Sequence, residues 1–464
     1  MIDEQAATHQ MWADSPSAVD PVHLDSRYQY RVLFWRKCVL WIVGAYIILN
    51  AGFEMVRIPP VGAGIPMGEL TLVLCLLILN PLNILPKMSS QVWLFPILVW
   101  WMLTLTRCLI DTTVGGVWSF RDASQAIESL YLIVGFGLVN SVDNVRYFFS
   151  WLRKLFPLMI LYGLLFPFGK TLQSLSPSIP GVSSGSTKLF FQTVNGPTLL
   201  LWSAAWLLLE PKRSEKKSPW NMMLATFLVA YSAGFGQGRS IYIQILMLGV
   251  LFFFLKRKAA VRWYAILALG CLLIAGVAAT GLGLKGHRDQ EISLAYMGRL
   301  LKSSTGEAGA GTEAAAGGVA LRIGWWHHIY SEMSLSAYNE AFGLGYGMPL
   351  TDFRSPTGNL VREPHNSYIS VWGRLGFTGA AAWLLMQITL YHAWWRSYRL
   401  TKKFGWIHAQ NNLILLLIFM FFIILAALGE DAMEKPYGAI PYYLFFGVVL
   451  RYGMLLREHA ELRH

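Results

Sequence analysis

Apolar runs of about 20 residues, the length of a bilayer-crossing helix, recur along most of this chain and leave little choice of fold. They are expected at about 33–53, 67–86, 91–110, 123–140, 146–167, 189–209, 220–235, 238–255 and 261–283, then at about 366–395, 409–428 and 437–456. Of the 464 residues, 55% are hydrophobic and 14% charged, and the mean hydropathy is +0.44, too apolar for an ordinary soluble domain. The fold class predicted is an all-α polytopic integral membrane protein with about 12 transmembrane helices.

The formal net charge is +12, which raises the question of nucleic acid. The cations answer it by their placement: they fall in short loops between apolar runs instead of forming one basic domain, so no nucleic-acid partner is expected. Lys212, Arg213, Lys216 and Lys217, then Lys256, Arg257, Lys258 and Arg262, then Arg396, Arg399, Lys402 and Lys403 follow alternate spans. Those loops, and both termini, are therefore expected to be cytoplasmic. The predicted organisation is a cytoplasmic tail over 1–32, helices one to nine over 33–283, a long outer loop over 284–365, helices ten to twelve over 366–456 and a second cytoplasmic tail over 457–464. Residues 1–32 lack the apolar core and small-residue cleavage site of a signal peptide. Cys38, Cys75, Cys108 and Cys271 fall inside apolar runs without metal-ligand spacing and read as packing residues.

The long loop carries the polar interest, since connections of this length usually serve function. Its stretch Ser303–Gly318 is Gly/Ala-rich and expected to be mobile. The following run, Leu321–Leu335, mixes Trp325, Trp326, Ile329 and Tyr330 with Arg322, His327 and His328 and reads as a helix lying on the membrane surface. His327 and His328 are adjacent and point to different helix faces, poor geometry for one metal.

Three outer-face positions stand out. Arg239 opens a helix after GFGQG, where a cation reinforces the positive helix end and would be relieved by an anion such as phosphate; the competing reading is an Arg snorkelling to the interface. Arg322 lies beside tryptophans and upstream of GLGYG (Gly343–Gly347), whose glycines allow close backbone approach to a ligand; an interfacial structural Arg is the alternative. Lys285, Arg288 and Arg299 add positive charge to the same loop and stand in reserve. His365, in PHN, sits where a polar loop meets a helix whose positive end disfavours imidazolium, so it is either a general base or a capping residue. Asn366 is placed to cap that helix and fix the His. Gly373, Gly376, Gly379 and Ala380 share one helical face, predicted to let a neighbouring helix approach. Glu69 and Arg107 lie near outer ends of spans as a candidate pair, and Arg374 requires a buried partner or water.

GQGRS at Arg239, ALRIGWW with GLGYG, and PHN followed after nine residues by Gly376–Gly379 together resemble the O-antigen ligase and polymerase superfamily of bacterial inner-membrane glycosyltransferases. The resemblance covers about Tyr231–Gly379. It implies transfer of a glycan from an undecaprenyl-diphosphate carrier to an acceptor hydroxyl, of another glycan or of lipid A core, on the periplasmic face and without cofactor or metal. In that scheme His365 is catalytic, Arg239 and Arg322 with Arg288 in reserve hold the diphosphate, and Asn366, Gly345, Gly376 and Gly379 support them. Ligase and polymerase remain open alternatives, and a lipid-glycan flippase is a third.

Overall fold

The computed structural model describes residues 26–58, 65–179, 188–191, 195–210, 218–307, 309–354 and 360–462. Helices dominate. They are α1 (Ser26–Leu49), α2 (Met67–Leu79), α3 (Pro81–Ser89), α4 (Leu94–Gly115), α5 (Tyr131–Leu138), α6 (Val142–Leu165), α7 (Gly196–Leu209), α8 (Ser218–Gly236), α9 (Arg239–Leu255), α10 (Arg257–Ala279), α11 (Leu294–Lys302), α12 (Glu313–Met333), α13 (Ala337–Phe342), α14 (Ser367–Lys403), α15 (Ile407–Ala426) and α16 (Pro436–Glu461). The short helices Val117–Asp122 and Ser124–Ser129 lead into α5.

Each expected apolar run is occupied by helix, yet only five helices among the described residues are long and apolar enough to cross a membrane by themselves, or six if the bent pair α2–α3 counts as one. The pair bends by 82° because Asn80 adopts a left-handed conformation (φ 48°) and Pro81 restarts the helix at its first position. The run expected at about 123–140 is likewise broken into short helices. The tail 1–25 lies outside the described residues.

α16 is the hub. Its span is 83% buried, and it packs against α1, α5, α14 and α15. Gly135 on α5 and Gly447 on α16 face backbone carbonyls of the opposite helix, Leu444 and Leu132, with no room for a Cβ. Small residues thus let these two helices meet backbone to backbone, where van der Waals contact drives association in a membrane. Tyr442, Tyr443, Phe445 and Phe446 fill the surrounding core.

Three sequence expectations change. The Gly/Ala-rich stretch is not an unstructured insert: Ser303–Thr305 forms a 3₁₀ turn, α12 already begins at Glu313, and Ser303, Thr312, Ala315 and Ala316 are buried. Its small side chains suit it to close packing. Gly376 does not extend a helical face, because its φ of 64° and ψ of −162° break α14 one quarter of the way along. What approaches the Gly373–Gly379 segment is the outer loop: Leu344 N–H donates to the Gly373 carbonyl at 2.8 Å and Gly345 N–H to the Arg374 carbonyl at 2.9 Å. Finally, Arg107 pairs with Asp111 at 2.9 Å rather than with Glu69, as neighbours one helical turn apart.

The run Leu321–Leu335 is helical within α12, with Leu321, Ile323 and Tyr330 exposed. Its other face is committed to the protein, since Ile329 and Met333 pack on Leu350, Ile369 and Trp372.

Candidate active site

His365 is set by the loop behind it. Asn366 caps α14, its side-chain oxygen accepting from the Tyr368 and Ile369 N–H groups at 3.0 and 3.2 Å. Its amide donates to the Leu428 carbonyl (3.0 Å), while Ser367 N–H donates to the Ala427 carbonyl (2.9 Å) and Met433 N–H to Ser367 Oγ (3.1 Å). These bonds stitch the His loop to the α15–α16 connection. They hold His365 itself in a left-handed conformation, φ 50°, a strained setting for a residue with a Cβ that persists only where surroundings over-determine it.

The consequence is contact with a carboxylate that sequence reasoning missed. His365 Nδ1 lies 3.3 Å from Asp431 Oδ1, and Lys435 Nζ lies 3.5 Å from Asp431 Oδ2 and 3.7 Å from Glu54. Burial pushes the Asp431 carboxyl up, but the His365 hydrogen bond and the Lys435 ammonium outweigh it and hold it well below the ordinary carboxylate range. An ionised Asp431 only accepts, so Nδ1 carries the ring proton and Nε2 presents the lone pair. Asp431 was visible in the sequence only as one of several outer acidic residues. Neither spacing nor motif linked it to a His 66 residues away.

The two arginines converge on the same connection. Arg322 Nη2 lies 3.6 Å from Glu430 Oε1, and Glu430 remains 57% exposed. Arg239 Nη1 donates to the Ser303 and Ala315 carbonyls at 3.2 Å each, so the Gly/Ala-rich stretch is its cradle. The charges close enough to act on Arg239 are Arg322, Arg288 and Glu430; those acting on Glu430 are Arg322, His365, Asp431 and Arg239. Arg322 and His365, from separate segments, thus each meet one of the adjacent acidic residues Glu430 and Asp431, while Arg239 and Arg288 act on the same region through their charge. Trp325 sits 5.7 Å from the His365 ring, and Trp326 donates to the Pro364 carbonyl at 3.1 Å.

Gln237 fixes the Arg288 loop. Almost fully buried and also left-handed (φ 44°), it donates to the Gln290 carbonyl at 2.7 Å and accepts from Arg288 N–H at 2.9 Å. The sequence showed it only as a spacer between glycines.

A second charged cluster braces this assembly. Arg374, 3% exposed, reaches Glu363 at 2.8 Å and Asp122 at 3.1 Å, meeting the expectation of a buried partner, and donates to the Gly345 and Met348 carbonyls. Asp122 also pairs with Arg362 at 2.7 Å and accepts from Gly347 N–H at 3.0 Å. Asp111 accepts from Tyr346 N–H at 2.7 Å. GLGYG thus lies against the protein's own ions, and a Cβ at Gly345 would stand 2.6 Å from Asp111 Oδ2. Gly379 is buried against Leu375.

His365, Glu430 and Asp431 are also the cluster among the described residues whose donor atoms could share a metal ion. Arg322 and Lys435 stand against two of those donors at 3.6 and 3.5 Å. Each of those two carboxylates thus already has a cation of the protein beside it.

Residues 224–384 match the family model described as O-antigen ligase. Over that stretch, about a third of the chain, the protein is similar to the O-antigen ligase family. No curated protein matches the chain. The matched segment runs from α8 through the cradle of Arg239, Arg322 and His365 into α14, while Glu430 and Asp431 lie beyond its end.

Proposed function

We propose that this protein transfers a glycan from undecaprenyl diphosphate to an acceptor hydroxyl, of another glycan or of lipid A core, at the periplasmic face of the bacterial inner membrane. The observation that carries the proposal is the meeting of Arg322 and His365 at the adjacent residues Glu430 and Asp431, with Arg239 contributing its charge to the same region. The same reading takes the chain to cross the membrane about twelve times, with both termini cytoplasmic and 284–365 periplasmic.

In this mechanism the acceptor hydroxyl gives its proton to Nε2 of His365, whose ring Asp431 orients through Nδ1. The hydroxyl oxygen attacks the anomeric carbon as the bond from that carbon to the diphosphate oxygen breaks. Negative charge grows on the departing diphosphate, and Arg239 and Arg322, with Arg288 beside them, stabilise it. Arg322 exchanges its loose contact with exposed Glu430 for a phosphate oxygen. Asn366 holds the His loop, and Gly345, Gly376 and Gly379 brace it. Fixed guanidinium groups supply the charge stabilisation that a metal would otherwise provide.

Purified protein with a defined lipid-linked donor tests the roles separately. His365→Ala is expected to abolish transfer with donor binding retained, because the base acts on the acceptor. Arg239→Ala is expected to weaken donor binding and turnover together, and Arg239→Lys to restore part of both, since a point charge lacks the bidentate fork. Near-wild-type transfer by His365→Ala would reduce His365 to a loop residue and overturn the assignment.

A further inference from the structure

The molecule has a second charged recess at the other end of α15, far from the transfer site. α15 begins at Ile407, next to His408, and ends at Ala426, just before Ala427, whose carbonyl accepts the Ser367 N–H. Its 20 residues separate the two ends by about 30 Å, the thickness of a bilayer's hydrocarbon core. At the His408 end two adjoining cavities of about 120 and 230 Å³ share Phe149, Arg153, His408 and Asn412 as walls. They lie where α6, α7, α15 and α16 meet.

Arg153 is the residue in need of explanation. It is the twelfth residue of α6, so it lies about 16 Å along the helix from its start. Arg146, closer to that start, has Asp143 at 3.1 Å. Arg153 has no ion-pair or hydrogen-bond partner among the described residues. Its side chain is exposed at the edge of both cavities, and an unpaired cation beside an apolar helix face is a natural partner for an anionic ligand. Glu210 lines only the first cavity; the second holds Arg153 and the Asp143-paired Arg146 with no carboxylate in its lining, so it favours an anion. The upper wall of the recess is apolar: Phe149, Trp206 and Leu415 continue from the polar floor towards mid-membrane.

We propose that this recess binds the phosphate of an anionic phospholipid headgroup, in the leaflet opposite the transfer site. Arg153 holds the phosphate, Asn412 and His408 meet its oxygens or glycerol, and the acyl chain follows the wall formed by Phe149, Trp206 and Leu415. A lipid fits better than a soluble phosphate because the exposed cation is continuous with the apolar lining of Phe149, Trp206 and Leu415, where a headgroup arrives with its chains already solvated.

Full-length protein in phosphatidylcholine nanodiscs, with and without phosphatidylglycerol, tests this by native mass spectrometry of retained lipid. The wild type is expected to keep phosphatidylglycerol over phosphatidylcholine, Arg153→Gln to lose that preference about tenfold, and Arg153→Lys to keep part of it. Glycan transfer measured in phosphatidylcholine alone should be unchanged in Arg153→Gln, which separates this site from the transfer reading. Should the variants fold poorly, a photoreactive phosphatidylglycerol on the wild type is expected to label α6 and α15 around Ser150 and Asn412. Labelling confined to other helices, no preference between the two lipids, or equal occupation by free glycerol 3-phosphate would each overturn the proposal.

Discussion

Asp431→Asn separates an Asp–His pair from a His that acts alone. In the structure Asp431 fixes the His365 proton on Nδ1 at 3.3 Å and leaves Nε2 free to receive one. Asparagine keeps the shape but presents an amide that donates as readily as it accepts, so the ring is released to the tautomer with its proton on Nε2 and no lone pair for the acceptor. A hydrogen bond to a charged group contributes about 1.5–3 kcal/mol. The 3.3 Å separation and the 35% exposure of the His side chain place this one near the lower bound, and the lost tautomer adds to it. The expected fall in kcat is roughly ten- to hundredfold.

The assay is single-turnover transfer in nanodiscs with donor and acceptor varied separately. Donor KM should not move, because Arg239 and Arg322 are untouched. Folding should survive. Burial works against the Lys435 ammonium, but Glu54 and Asp431 outweigh it and hold its pKa above the ordinary lysine value, and in the variant Lys435 keeps Glu54 at 3.7 Å. A kcat within twofold of wild type, or a loss appearing only in donor KM, would refute the reasoning.

Gln237→Ala removes two hydrogen bonds to the Arg288 loop, about 2 kcal/mol in total, and is expected to raise donor KM severalfold with acceptor KM unchanged. Gly376→Ala places a Cβ 2.5 Å from the Ala341 carbonyl carbon at a φ of 64°; a loss of about 1–3 kcal/mol should appear as earlier thermal unfolding, and an unchanged transition would mean that the break is not required. Burial, with the Glu363 charge, pushes the Glu434 carboxyl up to about 8. Its folded-state value is raised, so the protonated fold is favoured below the ordinary 4.5 and that stability is lost as pH rises through 8. Wild type should therefore lose thermal stability as pH rises from about 4.5 to about 8, and Glu434→Gln should flatten that slope.

The membrane class was legible because apolar length and loop charge are one-dimensional signals, and so was the likeness to the O-antigen ligase family over 224–384, since the three motifs that carry it are each contiguous. Asn366 as a cap was legible for the same reason. The partners were not. Asp431 meets His365, and Asp122 meets Arg374, through loops whose packing depends on where distant helices end. The bend at Asn80–Pro81 and the break at Gly376 escaped too, since hydropathy reads composition and not backbone torsion. Low complexity misled for a physical reason: Ser303–Gly318 cannot bury a core of its own, but its small residues can line someone else's, and they close around Arg239.

The break in α14 ties these observations to the chemistry. Were the helix regular through Gly376, Ser367–Leu375 would continue the axis of the span, and a side chain at position 365 would ride on that axis into the solvent. With Gly376 at φ 64°, the segment before it turns to receive the GLGYG loop, through the Leu344–Gly373 and Gly345–Arg374 bonds, and Arg374 enters the buried charge cluster with Glu363 and Asp122. Removing one partner from such a buried network is costly, on the order of 3–5 kcal/mol, so the turned segment is anchored far more firmly than a loop. It is this anchored piece that carries Asn366 and His365 to the α15–α16 connection. The strained conformation of His365 is sustained from both sides, by the cluster behind it and by Asp431 in front, which is how a residue between a loop and a helix comes to hold a fixed direction.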